Sequence, residues 1–170
     1  MDTKRVRFAV DGLDYDWNRF TIGDFINHIA YTRQRKIDLM GFPLYDFSGL
    51  CLSTPTQDYI AYDIQRHPNL QIHTKLHELA HLILGHTVSI SVDDLSSGDQ
   101  ILSILLHINT RTVHRYSDPI KILQENEAEY FAFVVEGYVA SHKRLHQLTL
   151  TDHADDIYMP PFTGDAFTGD

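Results

Sequence analysis

The run His77-Glu78-Leu79-Ala80-His81 sets two imidazoles four positions apart, with a carboxylate directly after the first. On an α-helix, positions i and i+4 share a face about one turn apart. Two imidazoles so placed can each turn a nitrogen toward one zinc ion about 2.0–2.1 Å away. Glu78 is offset by about 100° around the helix. It is poorly placed as a third ligand on that face, but well placed beside the metal, where a base takes a proton from water. With 11 histidines and five glutamates in 170 residues, chance supplies this pattern on the order of 0.02 times. The alternative is a pair of solvent-facing histidines on an amphipathic helix. Leu79, Ala80, Ile83 and Leu84 surround the pair, so the turn reads as buried, and burying two imidazoles and a glutamate without a purpose is costly.

A catalytic zinc site usually has three protein ligands and one open position. His86 does not supply the third, because the extended pattern needs a glycine three and a histidine six residues after His81, where Leu84 and Thr87 stand. It reads as lying past the helix end. His73, one turn before His77, reads as a rim or surface residue. The better source is Gln124-Glu125-Asn126-Glu127-Ala128-Glu129-Tyr130-Phe131-Ala132. Three carboxylates entering an apolar helix can simply serve the helix dipole. Beside an H-E-x-x-H helix, they also offer a metal ligand. Glu125 and Glu129 share a face, so one can bind metal while the other orients a histidine ligand. For the oxyanion of acyl transfer, the candidate donors are His114 and Tyr116, in the loop before this cluster.

The two runs together, His77-Glu-Leu-Ala-His-Leu-Ile-Leu-Gly-His86 and then Glu125-Asn-Glu-Ala-Glu-Tyr-Phe-Ala132, resemble the ImmA/IrrE-type metallopeptidases. In that family an H-E-x-x-H helix precedes a helix of the form E-x-E-A-[N/D]-x-F-A. The resemblance spans roughly residues 37–139. It implies that His77 and His81 bind zinc, that Glu78 is the general base and that Glu125 is the third ligand. Glu127 stays the fallback ligand. Position 129, Asn or Asp in the family and supporting a ligand, is Glu129 here, one methylene longer than Asp. Val134-Val135-Glu136 replaces the family's Leu-Met-Pro, and the chain has no room for the helix-turn-helix region the family often carries. The implied substrate is a helix-turn-helix transcriptional repressor, whose cleavage derepresses stress or mobile-element genes.

The elements that must position these groups can be read in outline. Val6–Val10 alternates and ends at Asp11-Gly12, as a strand closed by a turn does. Thr21 caps a helix with apolar positions Ile22, Phe25, Ile26, Ile29 and Ala30. Arg33-Gln34-Arg35-Lys36 then reads as a solvated, cationic helix end. Strand-like runs follow at 37–42, 49–54 and 58–64, the last two joined as a hairpin. His67-Pro68-Asn69 opens the H-E-x-x-H helix and Gly85 closes it. A helix is expected at 100–108, and a strong one from Ile120 to Ala140. The fold class is α+β: a small antiparallel sheet packed on helices, with a zincin-like H-E-x-x-H helix and a following glutamate-bearing helix. Residues 1–150 form one domain. Residues 151–170, with Pro160-Pro161 and a repeated Phe-Thr-Gly-Asp, form an acidic, weakly ordered tail. The strand at 58–64, just before the metal helix, is the expected sheet edge for an extended substrate.

Composition narrows the function classes. The net charge of −9 opposes direct nucleic-acid and anionic-membrane binding. It suits attraction of a basic protein partner. The single cysteine, Cys51, excludes an intrachain disulfide and a cysteine-built zinc site. No signal peptide or membrane span is evident, so the expected location is cytoplasmic. The sequence therefore points to a zinc-dependent metalloendopeptidase. The alternative is a non-cleaving metal-binding regulatory module, or the toxin-like half of a toxin–antitoxin pair. The intact Glu78 argues against that alternative, because a module that only binds has no need of the base.

Overall fold

A computed structural model describes residues 2–44, 48–86, 103 and 118–155. The backbone of 146–155 is described without its side chains. Four helices and a three-stranded sheet make a mixed α+β fold: α1 (Thr3–Asp11), α2 (Ile22–Thr32), β1 (Lys36–Phe42), β2 (Gly49–Ser53), β3 (Gln57–Asp63), α3 (Pro68–Leu84) and α4 (Pro119–Asp155). Among the described residues, no helix is long and apolar enough to cross a membrane.

The first element is a helix, not the strand its alternation predicts. Asp2 caps it, its side chain accepting from the backbone N–H groups of Lys4 and Arg5. A strand would turn Val6, Phe8 and Val10 to one side. Instead Val6 and Val10, four apart, are buried, while Phe8 is 82% exposed. Burial thus follows the helical period. The second helix starts as expected, with the Thr21 hydroxyl accepting from the Asp24 N–H at 3.1 Å.

The sheet order is β1-β3-β2. β2 and β3 form the expected antiparallel hairpin, with Cys51 opposite Ile60. β1, however, runs parallel to β3, with Ile37 opposite Asp58, so the sheet is mixed rather than antiparallel. Alternation reports which face of a strand is buried and carries no information about the direction of its neighbour. The order also makes β3 the central strand, paired on both sides, so it is not the free edge expected for residues 58–64.

The basic run after α2 is not a solvated helix end. Arg35 donates to both oxygens of the fully buried Asp58, at 2.8 and 3.2 Å, and Arg33 reaches the same carboxylate and the Leu82 carbonyl. These contacts fasten α2 and β3 to the end of α3. The core between α3, α4 and the N-terminal helices is built on Phe25, Ile29, Leu76, Leu79, Phe131 and Val135, all fully buried. A smaller cluster of Leu52, Tyr59 and Ala61 forms separately.

Candidate metal centre

α3 starts and stops where its end signals place it. His67 caps it, Pro68 opens its first turn, and Gly85 ends it at φ 71°, a left-handed conformation that costs glycine nothing. Between these ends, Glu78 and His81 are buried, and His77 is 19% exposed. α4 packs against α3 and brings Glu125 across from them.

His77 Nε2 lies 3.2 Å from His81 Nε2 and 3.2 Å from Glu125 Oε2, and His81 Nε2 lies 3.6 Å from Glu125 Oε1. Ligands about 2.0–2.1 Å from a tetrahedral zinc ion stand about 3.4 Å apart, so these three groups are spaced to hold a metal ion. The hydrogen bonding agrees. Glu129 Oε2 lies 3.2 Å from His77 Nδ1 and, as a carboxylate oxygen, accepts its proton. Neutral His77 then has a bare lone pair on Nε2, aimed at a second imidazole nitrogen and a carboxylate. Two imidazole nitrogens and a carboxylate thus converge on one point, where a cation can be held. Burial alone would lower the His77 pKa, but hydrogen bonding to Glu125 and the charges of Glu78 and Glu125 push it up to about 9.

Glu78 stands beside this cluster and outside it. Burial raises its pKa, while the neighbouring imidazoles pull it back. The strand β2 lies directly on it. A side chain at Gly49 would meet Thr74 Cγ2, and would approach Glu78 Cγ and Oε1 to 3.0 Å. Burial, and then the charge of nearby Glu78, push the Cys51 thiol well above its ordinary pKa.

The other expected residues divide. Glu129 contacts His77, as the i, i+4 spacing from Glu125 suggests. Glu127 faces elsewhere: its buried carboxylate binds Arg5 at 2.9 Å and His86 Nε2 at 3.1 Å. His86 does lie past the helix end, with its ring centroid 5.4 Å from that of His81. His114 and Tyr116 lie outside the described residues. His73, which the sequence places at the rim or surface, contacts Glu129 and Glu136, and Arg5, which the sequence did not single out, reaches from α1 to Glu127 and the Leu84 carbonyl. The four-residue step from His73 to His77 was the available signal for the first. Nothing marked Arg5 once its segment was taken for a strand.

Comparison with protein-family models, curated proteins and solved structures gives no match.

Proposed function

We propose that this chain is a zinc-dependent metalloendopeptidase, as its resemblance to the ImmA/IrrE-type enzymes implies. One observation carries the reading. Two imidazoles and a carboxylate converge at metal-ligand spacing, and a separate buried carboxylate stands beside them. A donor set of two imidazoles and one carboxylate suits zinc in a catalytic rather than a structural site. His77, His81 and Glu125 would hold the ion.

Bound zinc would supply a Lewis acid that polarises the scissile carbonyl and makes a water more acidic. Glu78 takes the proton of that water as it attacks, then delivers it to the leaving amine. Its burial favours this role, because a carboxylate with a raised pKa is a stronger base toward that water. Glu129 fixes the ring of His77 by accepting from Nδ1–H. The substrate runs extended along β2 rather than β3. Among the described residues β2 is an outer strand of the sheet, and it is the strand that carries Gly49 and Cys51 beside Glu78. The small Gly49 keeps the approach to Glu78 clear. A basic helix-turn-helix repressor is the proposed substrate, drawn to a chain of net charge −9.

The test combines metal analysis with cleavage. Wild type, Glu78→Gln and Glu125→Gln are assayed for bound zinc and incubated with a basic helix-turn-helix repressor. Glu78→Gln keeps zinc and loses cleavage, whereas Glu125→Gln loses both. Full cleavage by Glu78→Gln would overturn the reading.

A further inference from the structure

α3 and α4 carry a second set of titratable groups that the proposed reaction does not use. His73, His77 and His81 follow one another at four-residue spacing on α3, and Glu136, Glu129 and Glu125 meet them in reverse order on α4. The outermost pair lies beyond the metal cluster. His73 Nδ1 is 3.0 Å from Glu136 Oε1, and His73 Nε2 is 3.2 Å from Glu129 Oε2. That same Glu129 oxygen lies 3.2 Å from His77 Nδ1. A carboxylate oxygen only accepts, so this one atom of Glu129 is placed to accept hydrogen bonds from both imidazoles.

Glu129 needs this second contact. Its side chain is long and 46% exposed. A long, half-exposed carboxylate has many rotamers open to it, and water competes for its oxygens. One orientation gives His77 Nδ1–H its acceptor. When that acceptor is lost, nothing holds the tautomer and ring angle that leave Nε2 bare for metal. His73 is held in turn, with Glu136 on its other nitrogen and its ring edge-on to Phe133 at a centroid distance of 5.5 Å.

We propose that His73 is a positioning residue of the metal centre, pinning Glu129 so that His77 presents Nε2 to the ion. The proposal rests on the metal-binding part of the reading above and is independent of proteolysis.

The test is zinc affinity of the full chain, measured by competition with a chromophoric chelator. The proteins are wild type, His73→Phe, His73→Gln, Glu129→Ala and the double variant His73→Phe/Glu129→Ala. Phenylalanine keeps a flat ring against Phe133 and removes both nitrogens. Glutamine restores one N–H donor. Loss of a partner to a metal ligand costs about 10–100-fold in affinity. Glu129→Ala falls in that range, and His73→Phe near its lower end, about tenfold. His73→Gln recovers part of the loss. The double variant binds no more weakly than Glu129→Ala alone, because His73 acts through Glu129. Cobalt(II) absorption of His73→Phe shifts from wild type, while thermal melting of the metal-free proteins does not. The proposal is overturned if His73→Phe binds zinc within twofold of wild type, or weakens binding by the same factor when Glu129 is already alanine. If His77→Ala binds zinc as wild type does, the metal centre itself is wrong and the proposal falls with it.

Discussion

Replacing Glu127 with alanine should cost stability and leave the metal donors in place, while replacing Glu125 with glutamine should do the reverse. The two stand two residues apart on one helix, about 200° around it, and the structure uses them differently. Glu127 is 1% exposed and accepts from Arg5 Nη1 at 2.9 Å, His86 Nε2 at 3.1 Å and the Asp2 N–H at 3.3 Å. Its removal strands the His86 ring, whose side chain is 3% exposed and whose Nδ1 already has no partner. A buried donor left unsatisfied costs about 1–3 kcal/mol, and breaking a buried charged pair about 3–5 kcal/mol. Arg5 is half-exposed and keeps the Leu84 carbonyl, so its own loss is small. The stranded His86 donor therefore sets the loss, about 1–3 kcal/mol. With a urea slope of about 2 kcal/mol per molar, the unfolding midpoint of metal-free Glu127→Ala falls by about 0.5–1.5 M. Its zinc affinity stays within about tenfold of wild type. The side chain of Glu125 is 58% exposed, so Glu125→Gln behaves as a surface change in the metal-free protein, within about 0.5 kcal/mol. Losing a ligand should nonetheless weaken zinc by more than the roughly 100-fold that an outer partner costs. Urea titration with and without zinc, beside chelator competition, reads both quantities. A Glu127→Ala protein that unfolds like wild type and fails to bind zinc would refute the division of roles.

Two further outcomes follow from neighbouring contacts. Burial works to raise the Asp58 pKa, but hydrogen bonds from Arg35 and Ser53 and the charges of Arg35 and Arg33 outweigh it and hold the carboxyl below its ordinary value. A depressed folded pKa stabilises above the unfolded value of about 3.9 and is lost as pH falls through the lower folded value. Thermal melts should therefore show Asp58→Asn well below wild type at pH 6, with the gap closing as pH falls below the unfolded value of about 3.9; a gap independent of pH would count against the ion pairs. Gly49→Ala forces a methyl group against Thr74 and Glu78 and should lower stability by about 1–3 kcal/mol as overpacking does, while zinc binding persists; a urea midpoint equal to wild type would show that β2 stands farther from Glu78.

The helices with end signals were legible in the sequence. Thr21, His67-Pro68 and Gly85 each satisfy or terminate backbone groups locally, so reading them needs no knowledge of the rest of the chain. α1 was not legible, because Val6, Phe8 and Val10 fit both a period of two and a four-residue step, and only packing against the core decides which face is buried. α4 was foreseen to Ala140 but runs on to Asp155. From Ala140 to Leu145 it is mostly exposed, and a helix with little to bury shows no apolar stripe. The direction of β1 and the central place of β3 depend on pairing between segments whose local patterns are identical in either arrangement. That missing information put the expected sheet edge on what is the central strand. Arg33 and Arg35 were misread for a related reason: a basic run is ordinarily solvated, and its buried acceptor, Asp58, lies more than twenty residues away.

The candidate centre was more legible than the sheet because its parts repeat at helical spacing. All five glutamates of the chain lie on α3 or α4. Glu125, Glu129 and Glu136 follow intervals of four and seven, which keep one helical face, and His73, His77 and His81 do the same at intervals of four. Glu127 falls out of that series and out of the cluster. What spacing alone did not supply was the match between the two faces, because a face can be read from one helix while its partner cannot. The antiparallel crossing of α3 and α4 supplies it, setting His81 against Glu125, His77 against Glu129 and His73 against Glu136. Leu79 and Leu82 on α3 and Ala128, Phe131 and Ala132 on α4 belong to one buried apolar cluster that holds the two helices. A change in that packing would slide one ladder past the other by a step and part all three pairs together. The donor geometry at the metal centre therefore depends on the same core that stabilises the fold.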